Sequence, residues 1–467
     1  MSAADRPEFP RGVALLVAAT LFMEILDGTV LVTALPAIAR DLAVSTFDVG
    51  IAISAYLITV AVVIPVSGWV VDRFTARPVY LCAIALFAAS SIGCALSVSL
   101  PMLVGMRVLQ GVGGALMVPV GRLVVLRAVG KPGLVRAIAW LTWPALVAPV
   151  VAPLLGGLIT SQAGWRWIFA INVPIGVIGL LVGIRLMPRS VRPTTPRPLD
   201  VVGAALVVVS VTAGMVALDA VRVGSVSWTV LAPSALTCAV GVVAAWRHLS
   251  ASSAPLLGLG VLRVPTFTSV LTFGSCYRAV ISAVPFLLPL MFQLRFGWSP
   301  TEAGAAVTAL FAGNVLVKPV TTPLMRVMGI RRLLLCTIGA SVAVLGVVAA
   351  VGPDTPWWMT AAVLVVSGAL RSIGFTAYNT LAFADVNDSD LVDANTLHAS
   401  AQELFAGVGV GIAVVALSVG SGIEHLLPFP AGEFGAAYVL LAALLAVCGV
   451  GAARLPQAAA AHVTARC

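Results

Sequence analysis

The chain has 467 residues, 60% apolar and 10% charged, where a soluble domain runs about 45–50% and 25%. So few charges cannot cover a water-exposed surface, which excludes a soluble protein and implies a chain that lives in a bilayer. The formal net charge of +9 is then a matter of topology and anionic lipid, and calls for no nucleic-acid partner. The seven cysteines sit mostly in apolar runs and read as small core hydrophobes, with no disulfide framework or metal site.

At about 20 apolar residues per membrane-spanning helix, the chain holds about fourteen spans. They are predicted at 12–36, 48–71, 78–98, 101–126, 134–160, 167–187, 200–220, 226–246, 266–293, 300–325, 331–352, 356–381, 393–420 and 434–454. The first run follows a polar tail with Arg6 and Arg11 and shows no small-residue cleavage site, so it is read as a retained helix. Alternate connections are rich in arginine: Arg73 and Arg77, Arg122 to Arg136, Arg185 to Arg197, Arg247, Arg263, and Arg326 to Arg332. The others hold Arg40, Arg166, Arg222 and Arg295. Because Lys and Arg accumulate on the cytoplasmic side, both termini are predicted to be cytoplasmic, in a bacterial-type inner membrane.

Two polar breaks divide the spans. MPRSVRPTTPRPLD (Met187 to Asp200) cannot continue a helix, and RHLSASSAP (Arg247 to Pro255) follows one further helical pair. The expected organisation is an all-α integral membrane fold in three parts. A six-helix bundle occupies 1–187, a linker with an inserted pair 188–265, and a second six-helix bundle with a tail 266–467. The cytoplasmic turns after the second helix of each half carry a faint repeat: Gly68, Asp72, Arg73 and Arg77 in one, Pro323, Arg326, Gly329, Arg331 and Arg332 in the other. Repeats of this kind set a cargo cavity near the midplane between the halves, with access alternating by rocking. A monomer is expected.

GWVVDRFTAR (Gly68 to Arg77) and RVLQGVGGA (Arg107 to Ala115) resemble the loop and fourth-helix signatures of the major facilitator superfamily. LDGTVLVTALP (Leu26 to Pro36), WRWIFAINVPIG (Trp165 to Gly176) and PLLGLGVLR (Pro255 to Arg263) are similar to its fourteen-helix drug:proton antiporter branch. Thr75 and Ala76 stand where that loop commonly has Gly and Arg. Ala148 and Ala152 replace usual glycines in the fifth helix, and Val32 replaces an Asn in the first. The resemblance implies export driven by the proton motive force, without a cofactor.

The chemistry must come from charges inside the spans: Glu24, Asp27, Arg107, Arg278, Lys318, Arg371 and Glu403. Unpaired, they represent on the order of 20 kcal/mol of unfavourable transfer. Glu24 and Asp27, three apart, share one helix face with β-carbons about 5–6 Å apart. Two carboxylates so placed cannot both ionise cheaply, so the pair is expected to carry a proton and to titrate as a unit. Arg107 should reach a comparable depth. The resemblance implicates the acid and base at these positions in proton coupling, and it is carried over to Asp27 and Arg107: protonation of Asp27 frees Arg107. A static ion pair is the competing reading. Glu403, among Gly407, Gly409 and Gly411, is the second proton-coupling candidate, or else it neutralises Arg371 or Arg278.

Pro144, Pro149, Pro153, Gly156 and Gly157 should bend the fifth helix, and the resemblance has this stretch packing against the other half. Gating is expected of Pro153, Gly156 and Gly157 and of Asp72, Arg73 and Arg77. The acidic loop ADVNDSDLVD (Ala384 to Asp393) is expected to latch against basic loops of the first half, with Asp393 capping the next helix.

Cargo contacts are expected from Tyr56, Trp143, Tyr277, Arg278, Phe286, Asn314, Arg371, Tyr378 and Asn379. The reading is proton-coupled efflux of lipophilic small molecules, cations among them. The alternative is export of an organic anion such as a polycarboxylate or metal chelate, because Arg278, Arg371 and Lys318 make the second half cationic. An enzyme is not expected: the chain has no His-Glu-x-x-His helix, nucleophile elbow or Walker lysine loop.

Overall fold

The computed structural model describes residues 11–188, 199–222, 225–252, 255–387, 390–423 and 429–456; the side chains of residues 72, 126–146, 219, 222, 225, 392 and 423 lie outside the description. Among the described residues, twelve helices are long and apolar enough to cross a membrane, thirteen with one bent pair. The expected all-α membrane fold is what the chain adopts. Of the about fourteen expected spans, the fifth is described as an apolar helix over Val147–Gln162.

The first half begins with α1 (Arg11–Asp41), α2 (Thr46–Phe74), α3 (Ala76–Ala95) and α4 (Leu100–Gln162). Ser45 and Ser99 cap α2 and α4, accepting from the amides of Phe47 and Met102, as short hydroxyl side chains do. Along a straight helix Gly156 would lie about 70 Å from Arg107. Yet Arg107 meets Asp27, and Gly156 packs on Val30 and Thr33 one turn further along α1. The two arms of α4 therefore stand side by side as separate spans. A kinked span made of α5 (Arg166–Ala170) and α6 (Asn172–Leu186) completes this half.

The inserted pair, α7 (Val201–Asp219) and α8 (Trp228–Ala251), is joined by a two-residue ladder between Val221–Arg222 and Ser225–Val226. Only 11% of the apolar window of either helix is buried, so the pair faces lipid. It sits at the seam, where α7 touches α2 and the Leu218 side chain lies against Gly411. Asp200 fastens its start, accepting from the amides of Gly203 (2.8 Å) and Leu256 (3.1 Å) and meeting His248 Nε2 at 2.7 Å. Burial works against this charge, but these hydrogen bonds outweigh it and hold the carboxyl below its ordinary range.

The second half runs α9 (Pro265–Ser269), α10 (Ser275–Leu290), α11 (Pro300–Leu316), α12 (Lys318–Met328), α13 (Ile330–Ala349), α14 (Trp357–Ala384), α15 (Leu391–Ile423) and α16 (Glu433–Arg454). π-helical segments at Val270–Gly274 and Met291–Arg295 flank α10 within one span. α11 starts on a capping box between Ser299 and Glu302 and meets α12 at a 50° bend.

Two turns on the face that carries both ends of the described chain, here the tail face, share a backbone. Thr75 (φ 66°, ψ 156°) joins α2 to α3, and Gly329 (φ 73°, ψ 157°) joins α12 to α13. Two residues on, Arg77 Nη2 donates to the Ile184 carbonyl near the end of α6, and Arg331 Nη2 to the Ala453 carbonyl near the end of α16. The repeat glimpsed in the sequence is thus repeated in contacts.

The halves meet between the midplane and the opposite, far face. Gln293 Nε2 donates to the Thr33 carbonyl (2.9 Å), Ser161 and Thr301 hydroxyls pair at 3.0 Å, and Ser54 Oγ donates to the Gly407 carbonyl (3.3 Å). Missing side chains permit the approach: Gly157 lies on the backbone of Pro300, and Gly304 on that of Pro153.

Candidate functional site

The first group of charges lies wholly within the first half. Asp27 and Arg107 are 1% and 0% exposed and form an ion pair between Oδ2 and Nη1. Gln110, one turn along α4, accepts from Arg107 Nη1 (2.6 Å) and donates to Asp27 Oδ1 (3.0 Å) and Ser91 (2.8 Å). Asn172 Nδ2 donates to the same Oδ1 at 2.6 Å, and Arg107 Nε to the Ala52 carbonyl (3.4 Å). The guanidinium lies 4.2 Å from the Tyr56 ring centroid. Five spans are tied together here, and both oxygens of Asp27 are occupied. Such geometry is what makes burying a charge pair bearable in a medium of low dielectric.

Asp27 is among the electrostatic neighbours of Glu24, as their spacing suggests, but it is the weakest of them. Glu24 is partly exposed, and its hydrogen bond is a long one from Tyr56 Oη, 3.4 Å. Its electrostatic neighbours are led by Glu403 of the other half and Arg122. Glu403 in turn faces Arg278 and Arg122. Glu24 stands thirteen residues into α1 and Glu403 twelve into α15, about 20 Å from the tail face in both cases. Glu24, Arg122, Glu403 and Arg278 form a string of charge across the seam. Arg122, assigned from the sequence to a cytoplasmic connection, lies within the span Leu100–Val125.

The third group lines the second half. Arg278 Nε donates to the Gln402 carbonyl (3.3 Å), with its guanidinium 5.3 Å from the Phe375 ring. Arg371 lies 5.2 Å from the Phe311 ring, and its Nη1 is buried without a hydrogen-bond partner. Lys318, at the bend, donates to Thr376 Oγ1 at 3.0 Å. Tyr277 and Tyr378 stack obliquely at 5.3 Å, and Tyr277 Oη donates to the Arg371 carbonyl (3.2 Å). Asn379 is occupied, donating to the Phe375 carbonyl and meeting His398 Nε2 at 2.9 Å. Asn314 stands partly buried on α11 opposite Gly368. Phe286 is buried in the core beside Gly50.

Among the gating candidates, Pro153, Gly156 and Gly157 face α1 and α11, so the fifth-span stretch does touch the other half. Arg73 is exposed and Arg77 partly buried on the tail face. The side chains of Asp72 and Trp143, and Asp388 altogether, lie outside the described residues. Asp393 sits in the first turn of α15, past the capping position, with its carboxylate against Gly258 of the same half. That contact is with the linker that follows the inserted pair.

Sequence reasoning missed Gln110, Asn172, Ser91 and His398. Gln110 and Asn172 stood inside the signatures RVLQGVGGA and WRWIFAINVPIG, and an uncharged amide in an apolar run was the signal available.

The Major Facilitator Superfamily profile matches residues 17–410 and 270–465. Two proteins named "Putative multidrug resistance protein MdtD", from Salmonella paratyphi A and Salmonella typhimurium, are 33% identical over 432 residues, 90% of this chain and 89% of theirs. A transporter of the POT family in complex with 5-aminolevulinic acid has the same fold at a TM-score of 0.71 and 14% identity, covering 95% of this chain and 96% of its own. A D-xylose–proton symporter follows at 0.65 and 13%, covering 94% and 97%. With its helical fold and buried charges, the chain belongs to the major facilitator superfamily: it is a multi-pass membrane transporter of small-molecule substrates.

Proposed function

We propose that this transporter exports lipophilic small molecules in exchange for protons, with its tail face in the cytoplasm of a bacterial-type inner membrane. The arginine-rich connections support that orientation, and the name of its relatives supports the cargo class. The observation that supports the coupling is that Glu24 and Glu403, from opposite halves, lie within electrostatic reach of each other, with Arg122 and Arg278 in the same group. A proton shared by these two carboxylates is released when the halves part and water enters between them. Cargo binding that separates the halves then drives proton release, and proton binding resets them. Asp27, its oxygens filled, anchors the first half and stays paired with Arg107 through this exchange.

The test is dye efflux from proteoliposomes holding the purified chain, with an imposed pH gradient. Efflux should rise with the gradient and collapse with an uncoupler. Equal flux with and without the gradient would reject proton coupling.

A further inference from the structure

The second half holds more positive charge near the midplane than it can neutralise. Arg278 stands thirteen residues into its span and Arg371 fourteen into α14, about 20 Å from either helix start. Lys318 joins them from the bend between α11 and α12. Glu403 is the carboxylate that faces Arg278; Arg371 has Arg278 as its like-charged neighbour and no ion pair among the described residues. Arg107 also buries an unpartnered nitrogen, Nη2, but it has Asp27; Arg371 has a buried, unpartnered Nη1 and no carboxylate partner among the described residues, whereas guanidiniums inside membranes are paired or hydrated. Nearby, the hydroxyls of Tyr378 and Ser372 are also buried without partners. The rings of Phe311 and Phe375 lie beneath the two guanidiniums. α10, α11 and α15, which build this wall with α14, each touch the first half, so the wall belongs to the seam.

We propose that Arg371, with Arg278 beside it, binds the acidic group of the cargo: a carboxylate, phosphate or sulfonate carried on an aromatic or otherwise lipophilic body. A planar fork of N–H donors matches two oxygens of such a group, and the ring faces supply the platform for the apolar remainder. Lys318, tied to Thr376, adds positive potential without filling the site. This rests on the reading of the chain as an exporter with its cargo site at the seam, and it names the charge of what is exported.

The experiment compares two ring systems of one size and opposite fixed charge, naphthalene-2-sulfonate and N-methylquinolinium. Binding to the detergent-purified full chain is read by scintillation proximity, independently of transport. The wild type should bind the anion and discriminate against the cation. Arg371→Gln should weaken anion binding by about ten- to a hundredfold, and Arg371→Lys should recover part of it. Because Arg371 has no carboxylate to orphan, the Tm of ligand-free Arg371→Gln should be equal to or above that of the wild type. The added stabilisation by the anion should vanish. Arg278→Gln gives a second variant with the same loss of anion selectivity. Preference for the cation, anion binding unchanged in both variants, or displacement of the probe by phosphatidylglycerol but not by a soluble aromatic carboxylate would each overturn the assignment. Binding without gradient-driven flux would leave the anion site standing and count against the proton-coupled export.

Discussion

The two halves repeat a turn, at Thr75 and at Gly329, and treat buried charge differently. In the first, Asp27 and Arg107 form a buried ion pair, with Gln110 and Asn172 completing the surroundings of the carboxylate while Arg107 Nη2 stays without a hydrogen-bond partner. In the second, Arg371 keeps an unpartnered nitrogen and a like-charged neighbour. A charge with its counter-charge fixes the helices that supply the pair; a cation without one is open to an anion. On the roles proposed above, the first half acts as an anchor and the second as a receptor, with Glu24 and Glu403 on either side of the seam between them.

The comparison breaks first at the anchor. Asp27→Asn should cost about 3–5 kcal/mol of stability by leaving Arg107 buried without its counter-charge, whereas Arg371→Gln should cost nothing. Thermal unfolding in one detergent checks both, and equal losses would erase the distinction between the halves. The seam comes next: Gly157→Val would drive a side chain into the Pro300 backbone, costing about 1–3 kcal/mol in the arrangement closed at the far face. A spectroscopic distance across Ser161 and Thr301 should lengthen.

The repeated turns offer a smaller test. Thr75 occupies a φ,ψ region otherwise left to glycine, at a strain of about 1–3 kcal/mol. Thr75→Gly should therefore raise stability, and Gly329→Thr should lower it by a similar amount. The smallest effect is expected outside both halves. Asp200→Ala removes the cap of α7 and the contacts to His248 and Leu256, for about 0.5–2 kcal/mol. The Asp200 carboxyl is held low in the fold, so its contribution is complete above the ordinary value of about 3.9. It fades as the pH falls below that through the lowered value. Proteolysis of the linker before α9, followed against pH, should accelerate only at that acid end.

Much of this was legible in the sequence because bilayers impose simple rules. Apolar length placed the spans, and the cost of burying charge singled out Asp27, Arg107 and Arg371. Helical spacing put Glu24 near Asp27 but could not show Glu403 and Arg122, because sharing a helix face says nothing of what the neighbouring helices present. Arg122 was hidden by its nearness to a span end, and the roles of Gln110 and Asn172 depend on the side-by-side packing of α1, α4 and α6. The π-helical segment Val270–Gly274, one turn before Arg278, is not announced by VLTFG.

The claim at the centre is that the proton passes through the carboxylates facing each other across the seam. The most direct measurement is proton movement into a pyranine-filled proteoliposome on adding cargo without any imposed gradient, for the wild type and for Glu24→Gln and Glu403→Gln in variants of unchanged Tm. The account predicts a proton signal in the wild type and its loss in either variant, with cargo still bound; an undiminished signal when both carboxylates are replaced would contradict it.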